Sequence, residues 1–224
     1  MYPKREKIFL VLAGIFLTSL IMANIIGITK IFNFMGIGVP VGIIPYPITF
    51  LVTDLISEHY GKERAAFIVL TGFILNMFML VVATLGYYAP ANPDWLNAVL
   101  SGADPESAKT YERVYTIMMR GTFASMVAYL LAQYLDVRVF HWIKAKTNGR
   151  YLWLRNNGST MASQLVDTVS VMFITFYGIL PLDQILQFIM HGYLFKVCVA
   201  FTDTPFFYLG AKWLKKHAKD EAVA

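Results

Sequence analysis

Apolar and polar positions alternate along this chain in long blocks rather than in short strand-like steps. Six apolar runs stand out, at roughly 8–28, 38–59, 65–89, 113–136, 159–180 and 184–214. At a rise of 1.5 Å per residue, about twenty apolar residues cross a hydrocarbon core, so each run predicts one transmembrane helix. The opening MYPKREK followed by IFLVLAGIFLTSLIMANIIGI resembles a signal peptide. Its apolar part is longer than a signal core, and we read it as the first span. IGVPVGIIPYPITFL holds Pro40, Pro45, Pro47, Gly38 and Gly42, so the second helix is expected to start late and leave non-helical chain at membrane depth. PDWLNAVL at 93–100 predicts a short interfacial helix, and DVRVFHWIKAK at 136–146 a helix lying on the cytoplasmic surface. NNGSTMASQ offers Asn157 or Ser159 as the cap of the fifth helix. Pro205, just after Asp203, is expected to kink the sixth.

Some polar residues interrupt these runs. Asp54 and Glu58 stand one turn apart on the second, Gln164 and Asp167 one turn apart on the fifth, and Lys196 and Asp203 two turns apart on the sixth. By insertion scales a carboxylate near the bilayer centre costs about 2.5–3.5 kcal/mol, so such groups must face each other, water or a ligand. Neighbouring stripes reinforce the two shorter sets: Tyr46, Thr49, Thr53 and Ser57 on the second run, and Asn156, Thr160, Ser163, Asp167 and Ser170 on the fifth. Asn24 and Asn76, single amides on the first and third, are expected to join helices by a side-chain hydrogen bond. LVTDL at 51–55 and LVDT at 165–168 occupy the middle helix of each three-span half, which suggests a 3+3 inverted repeat.

Composition agrees with the pattern. Of 224 residues, 57% are hydrophobic and 15% charged, and mean hydropathy is +0.55. A soluble domain carries about 25% charge. The fold class expected is therefore an all-α integral membrane protein, one transporter-like domain over 1–224. The net charge of +5 does not point to nucleic acid, because Lys4, Arg5, Lys7, Lys62, Arg64, Arg138, Lys144, Lys146, Arg150, Arg155, Lys212, Lys215, Lys216 and Lys219 flank the apolar runs. With six crossings they all fall on one side, which places both termini in the cytoplasm. The single cysteine, Cys198, excludes an internal disulfide, and neither a metal site nor a cofactor motif is readable.

YPITFLVTDLISEHYGK at 46–62, LRNNGSTMASQLVDT at 154–168, FKVCVAFTDTP at 195–205 and AYLLAQYLDVRVFHWIK at 128–144 together resemble the bacterial queuosine precursor transporter family, formerly grouped with vitamin uptake proteins. The resemblance covers nearly the whole chain. It implies uptake of a 7-deazaguanine, as the cyano or aminomethyl precursor or as queuine, across the bacterial inner (cytoplasmic) membrane for tRNA modification. It implies no cofactor, no nucleic-acid partner and a deazapurine as the small-molecule partner in a lipid bilayer; a homo-oligomer is left open. A guanine-like edge offers adjacent N–H and amino donors that a carboxylate accepts in parallel. Candidate acceptors are Asp54, Glu58, Asp167 and Asp203; candidate donors to the ring carbonyl are Asn157, Gln164 and Lys196; candidate stacking rings are Phe50 and Tyr46. The related energy-coupling-factor subunits carry an A-x-x-x-A docking pattern, and the first span here has Ala13 but Leu17, which favours a stand-alone carrier. An intramembrane aspartyl hydrolase using Asp54 with Asp203 is the competing enzyme reading.

Overall fold

The computed structural model describes residues 3–34, 37–90, 92, 94, 105–148, 150 and 152–217. Among the described residues six long helices fall on the six apolar runs: α1 (Lys4–Ile26), α2 (Tyr46–Tyr60), α3 (Lys62–Tyr88), α4 (Pro105–Lys146), α5 (Leu152–Phe176) and α6 (Leu182–His217). Lys4–Ile26, Val41–Tyr60, Lys62–Tyr88 and Glu112–Lys146 are long and apolar enough to cross a membrane. On α3 the exposed residues Phe67, Leu70, Ile74, Phe78, Val81 and Leu85 recur every three or four positions, a continuous apolar stripe of the kind that faces lipid. This is an α-helical membrane protein.

The all-α expectation needs one correction. Between α1 and α2 the chain forms a small antiparallel hairpin, β1 (Ile31–Phe34) and β2 (Ile37–Pro40), with Ile31 opposite Pro40 and Phe34 opposite Ile37. A single 3-10 turn at Val41–Ile43 follows, and α2 starts only at Tyr46, with Pro45 as its cap and Pro47 in its first turn. Proline lacks the N–H that an interior helical position must donate, so the proline-rich segment delays the helix as expected. Val41 N–H donates to Lys30 O (2.9 Å) and Gly42 N–H to Gly27 O (3.1 Å), which satisfies backbone groups that a broken helix would otherwise expose.

Two further expectations change. The segment 136–146 is not a separate surface helix but the end of α4, which runs unbroken for 42 residues, about 63 Å at helical rise. No Gly or Pro occurs from 122 to 148 to interrupt it. The fifth helix starts at Leu152, so Ser159 lies inside it rather than at its cap. Gly158 is tolerated there because an added Cβ would sit against Ile143 of α4, 3.1 Å away. Pro205 lies inside α6, which is helical from Leu182 to His217. The short helix expected at 93–100 falls outside the described residues apart from Asp94.

Two apolar cores hold the helices together. Phe16, Val52, Ile56, Tyr60 and Ile68 join α1, α2 and α3, while Met172, Phe176, Ile185 and Ile189 join α5 and α6. Arg120 of α4 donates to Ile174 O (2.8 Å) and Tyr177 O (2.7 Å), supplying donors for carbonyls that the end of α5 leaves unpaired. The chain then reverses through Gly178 at φ +79°, a left-handed conformation that glycine adopts without strain.

Candidate functional site

Between the two cores lies a cavity of about 510 Å³, within the range of small-molecule sites. Residues of all six helices and of the 3-10 turn line it. The late start of α2 is what opens it: Pro40, Gly42 and Ile43 form part of the wall where a regular helix would have filled space.

The polar heart of the cavity is a four-residue constellation across α2, α5 and α6. Lys196 Nζ donates to Asp167 Oδ2 at 2.6 Å, and both side chains keep some exposure, 17% and 24% respectively. The Lys196 ammonium also lies 5.1 Å from the centroid of the Tyr46 ring, within cation–π range. Tyr46 Oη donates to Gln164 Oε1 at 2.9 Å. Gln164 and Asp167 stand one turn apart on α5, so one helical face supplies both an amide and a carboxylate. Among the described residues, Asp167 Oδ1 and the Gln164 amide nitrogen take no protein partner. A free acceptor and a free donor thus remain beside an ion pair. The hydroxyls of Ser163 and Thr168 also reach the wall, but they donate back to Thr160 O (2.9 Å) and Gln164 O (2.8 Å), which removes the cost of placing them there.

Two aromatic pairs complete the lining. Tyr46 and Phe50 have ring centroids 4.6 Å apart on α2, and Phe73 of α3 lies 5.8 Å from Tyr129 of α4; all four line the cavity. Such faces accept a flat heterocycle.

Five of the nine residues singled out from sequence therefore meet at one cavity: Tyr46, Phe50, Gln164, Asp167 and Lys196. Asp54 and Glu58 are not part of its wall, and both are exposed. The reason is how far along α2 they stand. With α2 spanning Tyr46–Tyr60, Glu58 falls in its last turn and Asp54 one turn before that, so they continue the Phe50 stripe toward the end of the helix. The side chains of Asn157 and Asp203 lie outside the described residues. Asn24 and Asn76 form the expected interhelical bond, Asn24 Nδ2 to Asn76 Oδ1 at 2.9 Å. The sequence reading overlooked Ser125, Tyr129 and Gln133, which present one face of α4 to the cavity; their four-residue spacing was the available signal.

The comparisons with known proteins cover this region. A family model described as "Putative vitamin uptake transporter" matches residues 40–210. A Bacillus subtilis (strain 168) protein named "Probable queuosine precursor transporter" is 30% identical over 190 residues, 84% of this chain and 78% of that protein. An Escherichia coli (strain K12) protein named "Queuosine precursor transporter" is 26% identical over 171 residues, 75% of this chain and 70% of that protein. No solved structure matches the chain. From the start of α2 to Lys196, every residue of the constellation falls inside the matched region, and the chain belongs to the vitamin uptake transporter family that this model describes.

Proposed function

We propose that this protein imports a queuosine precursor, a 7-deazaguanine, across the bacterial inner membrane by alternating access around the cavity. The observation that carries the proposal is that a carboxylate, an ammonium and a primary amide line one cavity together with two aromatic pairs. Asp167 Oδ1 accepts from the N–H and amino edge of the ring, the Gln164 amide or Lys196 donates to the ring carbonyl, and Phe50 or Tyr46 stacks on its face. The names of the two relatives support the substrate class. In this reading all six helices cross the membrane, both termini are cytoplasmic, and α1–α3 and α4–α6 are the halves of an inverted repeat with the site at their interface. Asp54 and Glu58 line the inward path after release rather than the binding hollow.

Binding and movement can be measured apart. Purified protein should be stabilised against heat by 7-deazaguanines and not by guanine-unrelated bases, and proteoliposomes should take up the stabilising ligand saturably. Asp167→Asn should weaken binding by at least about tenfold, since the ring's donors lose a charged acceptor, worth about 1.5–3 kcal/mol per hydrogen bond, and meet an amide N–H in place of one oxygen. Asp54→Asn should slow uptake while leaving affinity within about twofold, since a residue outside the hollow contributes little to ground-state binding. Unchanged affinity in Asp167→Asn would remove the carboxylate from the site. Uptake with and without an imposed pH gradient assigns the driving force: sensitivity to the gradient means proton coupling, and insensitivity means downhill entry with trapping in tRNA.

A further inference from the structure

The charge inventory of the cavity bears on which deazaguanine it takes. Of the described residues lining it, only Asp167 and Lys196 carry charge, and they are paired with each other at 2.6 Å. The remaining polar groups of the wall are neutral amides and hydroxyls. Among the described residues the hollow is therefore polar but electrically balanced before any ligand enters.

A neutral ring leaves that balance intact. Its donor edge can lie on Asp167 Oδ1 while Oδ2 stays with Lys196, so the ion pair orients the carboxylate and remains compensated. A ring carrying a protonated aminomethyl group adds one positive charge to a set that sums to zero. For it to find a counter-charge, Asp167 must turn from Lys196, which leaves the ammonium facing only the Tyr46 ring, 5.1 Å away. Either way one cation stays uncompensated in a hollow walled by membrane helices, where charge is costly. Resting on the deazaguanine reading above, we infer that the Asp167–Lys196 pair selects neutral 7-deazaguanines over those bearing a cationic substituent, with Lys196 as the residue that sets this preference.

Equilibrium competition on the detergent-solubilised full chain at neutral pH, where no membrane potential can favour the cation, tests this directly. 7-Cyano-7-deazaguanine and 7-aminomethyl-7-deazaguanine differ in the charge of one substituent. Wild type should bind the cyano compound at least about tenfold more tightly, a difference worth about 1.4 kcal/mol. Lys196→Gln, which frees Asp167 to pair with the ligand amine, should reverse the ratio, and Lys196→Arg should keep it. A wild-type ratio near one, or a ratio that Lys196→Gln leaves unchanged, overturns the inference and spares the substrate class. Failure of both compounds to bind wild type overturns the substrate class and the inference with it. Because the wild-type ratio decides on its own, a Lys196→Gln protein that does not purify leaves the test intact.

Discussion

At the scale of single residues, polar side chains in apolar helices look alike in the sequence and differ in the fold. Asn24 and Asn76 illustrate the structural use. Asn76 is fully buried, its amide nitrogen donates to Gly72 O at 2.9 Å, and its oxygen accepts from Asn24. Replacing Asn24 by Leu keeps the branched heavy-atom shape but strands that acceptor, which should cost about 1 kcal/mol, since a lost buried bond costs about 1–3 and cross-helix bonds in membranes lie at the low end. A lowered thermal midpoint in detergent is the expected result, and an unchanged midpoint would show that the amide pair is not stabilising. Asp167 and Asp54 illustrate the opposite lesson. Both stand in similar short motifs, LVTDL and LVDT, yet only Asp167 reaches the cavity. Residue type and spacing made the carboxylates legible as candidates, but how far along its helix each stands from the cavity is set by tertiary packing that no periodicity records.

At the scale of elements, the most informative stretch is the link between α1 and α2. Its prolines and glycines announced irregular backbone, and irregular backbone does line the cavity. The hairpin itself was not legible, because its ladder is made by main-chain groups and its four-residue strands are too short to show alternation. The link is held by a close crossing of Gly42 over the end of α1. A Cβ added at Gly42 would meet the Gly27 Cα at 2.7 Å and Ala23 O at 3.0 Å. Both are backbone atoms, so the contact is relieved only by moving one segment from the other. Gly42→Ala should therefore destabilise the protein by about 1–3 kcal/mol, the usual range for overpacking, and should weaken ligand binding too, because Gly27 and Gly42 are part of the cavity wall. Gly14, inside α1 where an added Cβ meets nothing within 4 Å, is the control: Gly14→Ala should not lower the thermal midpoint and should leave the affinity unchanged. Equal behaviour of the two variants would mean that the crossing is loose.

At the scale of the whole molecule, the question is which ends of the helices share a side of the membrane. The distribution of Lys and Arg predicts that the N-terminus and the α2–α3 turn face the same compartment, and side-chain contacts tie those two places together. Arg5 Nη2 donates to His59 O at 3.1 Å, Tyr60 Oη donates to Arg5 O at 3.1 Å, and Glu6 pairs with Arg64 at 2.8 Å. Gly61, at φ +92°, allows α3 to follow α2 without an intervening loop. These contacts require α1 and α2 to run in opposite directions, as two successive crossings must. The same logic extended to α4 puts its basic end, Arg138 to Lys146, on the side of the N-terminus and Asp94 on the other. Single cysteines test this in a Cys198→Ser background, since Cys198 is exposed. A membrane-impermeant maleimide should label Asp94→Cys in intact spheroplasts and Lys144→Cys only after the membrane is opened. Labelling of both from one side would break the alternation between α3 and α4. The two halves could then not be inverted copies, and the cavity would have to be reached by some route other than exchange between them.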